Sequence, residues 1–178
     1  MKKRWLFLFL PLALLACRTL FPDRPVFSTK TPIPVATSHL EATAFASGSG
    51  FTLVRIHPND GTLQNLLAAE AKKAQALGQR LFVEFDATWC PPCQAITASL
   101  VDRNKLMFAA YRGVYLVHVD VDEWGWGNPG AGFSVQAVPV FFKLDQDGKP
   151  SGPNVDGGAW GEDIPENIAP VLAGFFHP

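Results

Sequence analysis

Cysteine is scarce in this chain of 178 residues: there are three, and only Cys90 and Cys93 lie close together. A Cys-x-x-Cys pair is half of many zinc sites, and with no second pair the other half is missing. Net charge is almost absent too, since 15 Lys and Arg against 16 Asp and Glu leave −1. The aromatic residues are not interleaved with a basic patch, so nucleic acid is not an expected partner. The apolar stretch from Trp5 to Ala16 is too short to span a bilayer comfortably. No internal repeat of useful period is present, which argues against a solenoid.

What the amino terminus does contain is a basic start, Lys2, Lys3 and Arg4, ahead of that apolar stretch. This is the pattern of a secretory leader. Leu14-Leu15-Ala16-Cys17 resembles the bacterial lipobox, in which the chain is cut after the small residue and the Cys carries lipid. An uncleaved anchor and an ordinary leader with an incidental Cys are the alternatives. If Cys17 is lipidated, the two remaining cysteines form an even pair. From residue 18 to about 47, Pro22, Pro25, Pro32 and Pro34 alternate with Ser, Thr and Ala. Such a segment stays extended and buries no core, so it reads as a tether. The expected organisation is a leader at 1–16, a lipidated Cys17 and linker at 17–47, and one domain at 48–178.

Within that domain, Phe51 to Ile56 is a predicted strand, closed by the turn residues His57-Pro58-Asn59-Asp60-Gly61. Leu63, Leu66, Leu67, Ala71, Ala74 and Leu77 recur at helical spacing, and Gly78 is a natural stop. Arg80 to Asp86 is rich in Leu, Phe and Val without clean alternation, as in a strand covered on both faces. Pro91 and Pro92 suit the first turn of a helix expected to run to about Ala110. Further strands are predicted at Val114–Val121, Val138–Leu144 and about Pro153–Gly158. A last helix is predicted near Asp163–Phe175, shortened or kinked by Pro170. This alternation indicates an α/β fold.

Two thiols separated by two residues at a helix start can close a small disulfide, and the helix N-terminus favours a thiolate on the first. Cys90 is the expected nucleophile and Cys93 the resolving thiol.

Trp89-Cys90-Pro91-Pro92-Cys93 at a strand-to-helix junction, together with Val138-Pro139-Val140, resembles the thioredoxin superfamily across about residues 50–176. With the anchored amino terminus, the resemblance is to exported domains that reduce disulfides outside the cytoplasm. It implies a thioredoxin fold, a central mixed β-sheet flanked by helices, with thiol–disulfide oxidoreductase activity. It implies a cis peptide before Pro139 and substrate binding by Trp89, Val138 and Pro139. Glu84 falls where the family keeps a buried carboxylate, a proton acceptor for Cys93, and Gly158-Ala159 matches a glycine facing the site. His118 stands where a lysine is common, and Asp86 where an apolar residue is common; both are possible modulators. The charge of Asp86 would disfavour a thiolate at Cys90. No cofactor beyond the Cys90–Cys93 disulfide and no metal is implied. The expected partners are protein disulfides or thiols and an unidentified electron donor in the membrane or envelope. The expected location is the extracytoplasmic side of a bacterial cell envelope, on a lipid anchor.

Neither residue between the cysteines carries an N–H, and no histidine stands between them as in strongly oxidising relatives, so the expected direction is reduction. A copper-binding module using the Cys pair with His118 or His57, and a noncatalytic binding module, are the alternative readings. The aromatic insertion Trp124-Gly125-Trp126-Gly127-Asn128-Pro129-Gly130 either flanks a substrate groove or covers a sheet edge, and cover is the favoured reading.

Overall fold

The computed structural model describes residues 50–178; the expected leader, Cys17 and tether lie outside the described residues. In chain order the elements are β1 (Thr52–Arg55), α1 (Leu63–Ala76), β2 (Arg80–Asp86), α2 (Pro91–Val101), α3 (Lys105–Tyr111), β3 (Val114–Asp120), the one-turn α4 (Val121–Trp124), β4 (Val140–Leu144), β5 (Pro150–Asp156) and α5 (Pro165–Phe176). The strands form one sheet in the order β1-β3-β2-β4-β5. β1, β3 and β2 run parallel, while β4 and β5 are antiparallel additions. This is the expected mixed sheet flanked by helices. Among the described residues, no helix is long and apolar enough to cross a membrane.

The sheet is buried on both faces because successive side chains on a strand point to opposite sides. Val83 and Phe85 of β2 pack with Leu63, Leu67, Ala71 and Ala74 of α1. Phe82 turns the other way, into a cluster with Ile96 and Leu100 of α2 and Ile168, Leu172 and Phe176 of α5. Glu84 and Asp86 share the parity of Phe82, so two acids are carried into the α2 side of the sheet. Truncating a core side chain such as Leu67 to Ala would cost about 2–5 kcal/mol.

The helix expected from Pro91 to Ala110 is two helices. Asp102 ends α2, Arg103 adopts a left-handed φ of 55°, and Asn104 accepts from the Leu106 and Met107 N–H groups to start α3. A polar cap outweighs continuous helical periodicity here. By contrast, α5 runs through Pro170 to Phe176. Its burial against the sheet and α3 offsets the missing backbone donor.

Candidate functional site

β2 ends at Asp86, and four residues later the chain enters α2 with Cys90 as its N-cap and Pro91 and Pro92 in its first turn. The prolines fit because first-turn N–H groups have no intrahelical acceptor. The Cys93 N–H donates to Cys90 Sγ at 3.2 Å. Cys90 and Cys93 form a disulfide of 2.05 Å. The cysteines are only 1% and 5% exposed. The exposed face beside them is aromatic instead: Trp89 is 54% exposed and Trp126 is 45% exposed.

Those two indoles stack, with centroids 6.1 Å apart and planes 23° apart. The Trp89 Nε1–H donates to Asp122 Oδ2 at 2.8 Å, and Asp122 is itself positioned by its N–H donating to the Asp120 carboxylate. Trp124 does cover the sheet, packing on the α1-side core and donating to the Ile56 carbonyl. Trp126 does not, which corrects the favoured reading of the whole insertion as cover: it is exposed and stacks on Trp89, the residue before Cys90.

The Val138–Pro139 peptide is cis. The Pro139 carbonyl accepts from the Gly157 N–H at 3.0 Å, and a Cβ on Gly157 would lie 3.1 Å from Pro139 Cδ. The glycine packed against this loop is therefore Gly157 rather than the expected Gly158, because the last strand ends two residues earlier than its sequence pattern indicated.

Within the sheet lies a buried charged cluster. Strand register aligns Arg55 with His118, and His118 with Glu84. Arg55 donates from both terminal nitrogens to both Asp86 oxygens, at 3.0 and 2.6 Å. His118 Nδ1 lies 3.0 Å from Asp86 Oδ2, in hydrogen-bonding geometry. It is also 3.3 Å from Glu84 Oε2, but its single Nδ1–H is directed at Asp86, so Glu84 Oε2 has no hydrogen-bond donor among the described residues. The charge of Asp86 is thus met by Arg55 and His118 instead of being left to repel a thiolate.

The electrostatics follow from burial and pairing. Burial pushes the Glu84 carboxyl up to about 7, despite the opposing charge of His118. Burial acts the same way on Asp86, yet His118 and the Arg55 fork prevail and draw it down to about 2. Burial opposes the His118 cation, but Glu84 and Asp86 together raise it above its usual value. Sequence reasoning found Glu84, Asp86 and His118 but missed Arg55. The available signal was a lone arginine closing a strand of otherwise uncharged residues.

The thioredoxin family model matches residues 67–169, from within α1 to within α5. Thioredoxin H3 of Arabidopsis thaliana is 32% identical over 94 residues, covering 53% of this chain and 70% of that protein. The chloroplastic thioredoxin-like protein HCF164 of the same plant is 30% identical over 115 residues, covering 64% of this chain and 42% of that protein. A solved thioredoxin of Trichomonas vaginalis aligns with a TM-score of 0.45 at 25% identity, covering 69% of this chain and 96% of that one. The chain belongs to the thioredoxin family. Its activity is that of a thiol–disulfide oxidoreductase.

Proposed function

We propose that this protein reduces disulfides in other proteins outside the cytoplasm, through a Cys90/Cys93 dithiol. The observation that carries the reading is the cysteine pair at the N-terminus of α2, with Cys90 Sγ accepting the Cys93 N–H. The same contact and the helix dipole favour a thiolate on Cys90. That thiolate attacks one sulfur of a substrate disulfide, forming a mixed disulfide and releasing the first substrate thiolate. Glu84 accepts the Cys93 proton, and Cys93 attacks Cys90 Sγ. This closes the Cys90–Cys93 disulfide and releases the second substrate thiolate, so two electrons pass to the substrate. Trp89, Val138 and Pro139 line the groove that receives the substrate chain, with Trp126 extending it. An electron donor in the membrane or envelope returns the pair to the dithiol.

Lipid on Cys17 and a tether to residue 47 hold the domain of residues 48–178 on the extracytoplasmic side of a bacterial envelope. Support for this comes from the basic start, the short apolar stretch and Leu14-Leu15-Ala16-Cys17.

Replacing Cys93 by Ala tests the chemistry, because the mixed disulfide then cannot resolve. Disulfide-linked partners should accumulate and vanish when Cys90 is also replaced. Absence of any Cys90-linked species would sink the reading. The potential should be more negative than about −180 mV, the disulfide-isomerase value; a more oxidising one reverses the direction. Cys17→Ser should release the protein from the membrane fraction.

A further inference from the structure

The buried acids Glu84 and Asp86 both lie within reach of one imidazole nitrogen of His118, and a residue remote in sequence holds the acid that engages it. His118 Nδ1 is within 3.3 Å of Glu84 Oε2 and 3.0 Å of Asp86 Oδ2, and the hydrogen bond goes to Asp86. Asp86 is fixed for that contact by the two-pronged grip of Arg55, whose side chain is itself largely buried. A guanidinium is suited to this task, since its planar fork matches both carboxylate oxygens and orients them. With Asp86 so held, it takes the His118 N–H, and Glu84 Oε2 is left without a donor among the described residues.

We propose that Arg55 is a positioning residue for the redox step, acting through Asp86 and His118 on the proton exchanged between Cys93 and Glu84. This inference rests on the dithiol reading above. Arg55 touches neither the sulfurs nor a substrate, and its effect is transmitted by where it holds Asp86. The charged and titratable groups around His118 and Glu84 are Asp86 on β2, Arg55 on β1 and Tyr111 on α3, with Asp120 at the end of β3 acting on Asp86 and Arg55. Asp120 is engaged in capping α4. Burial and the Glu84 charge raise the Tyr111 phenol well above its usual value, so it stays protonated through neutral pH. Arg55 is the fixed cation of the group.

Removing Arg55 leaves the cluster one positive charge short and the Asp86 carboxylate unmatched. Glu84 and His118 then keep their protons to higher pH, and the Cys93 thiol loses its acceptor over the same range.

The test follows the second step of the cycle in full-length protein, using an aromatic disulfide reagent that releases a coloured thiolate. Cys90 attacks the reagent and releases one thiolate. Glu84 takes the Cys93 proton, Cys93 attacks Cys90 Sγ, and the second thiolate leaves as the protein disulfide closes. In Arg55→Gln the pH midpoint of the second release should rise by about 1 pH unit, the size expected for losing a neighbouring opposite charge. In an Asp86→Asn background the same Arg55 substitution should move the midpoint by less than a third as much. Arg55→Lys, which keeps the charge but loses the fork, should show an intermediate rise and guards against a fold failure in the glutamine variant. An unmoved midpoint in Arg55→Gln overturns the proposal, as does an equal shift in both backgrounds. A wild-type protein that never releases the second thiolate overturns the dithiol reading itself, which is a separate outcome.

Discussion

Replacing Glu84 by Gln should make the oxidised protein more resistant to unfolding at alkaline pH than at acid pH, relative to wild type. Glu84 is 1% exposed and its carboxyl titrates at about 7 in the fold, against an ordinary value of 4.5. The folded state therefore binds this proton more tightly than the unfolded chain. Its contribution is fully present below pH 4.5, is lost as pH rises through 7, and is level above that. Linkage converts the gap to about 3 kcal/mol, as an order of magnitude. Gln cannot titrate, so the difference between variant and wild type should move by about 3 kcal/mol in favour of the variant between pH 4 and pH 8. His118 keeps its hydrogen bond to Asp86 in both proteins, which leaves the cluster closed. Urea unfolding at pH 4, 5, 6, 7 and 8, with slopes checked for constancy, measures the effect. A stability difference that stays constant within about 0.5 kcal/mol across that range would refute the reasoning, because Glu84 would then ionise alike in both states. Carbon NMR of the Glu84 carboxyl gives the same quantity directly.

Two further outcomes test the surroundings of the pair. Trp126→Ala removes an exposed ring stacked on Trp89. It should raise KM for a protein disulfide about 2- to 10-fold, the value of one aromatic contact, while leaving kcat and the reaction with a small disulfide reagent unchanged. Gly148→Ala should destabilise by about 2–4 kcal/mol in thermal or urea unfolding, since the new Cβ would sit 2.6 Å from the Leu67 backbone at a φ of 74°. A wild-type-like melting curve would show that the β4–β5 hairpin is not pressed on α1.

Much of the fold was legible from local chemistry. The run at Leu63–Ala76 carried its helical period openly, and Arg80–Asp86 was marked by its Leu, Phe and Val content rather than by alternation. The break at Asp102-Arg103-Asn104 was hidden because apolar spacing continues across it, and only the Asn104 side chain on the next two N–H groups reveals a new start. Gly157 was displaced from its neighbour for a related reason. Both are glycines in one turn, and which one meets Pro139 depends on where β5 stops pairing.

The sequence by itself determined the chemistry: two thiols at a helix start, prolines between them, an acid six residues earlier and a proline loop beyond. These are short-range patterns, each specified by residues a few positions apart. The tertiary structure alone decided how the charges are shared. Arg55, Asp86 and His118 are separated by tens of residues and meet only because β1, β3 and β2 lie side by side in parallel register. Burial then makes those contacts matter, since a charge removed from water is governed by the few groups that can reach it.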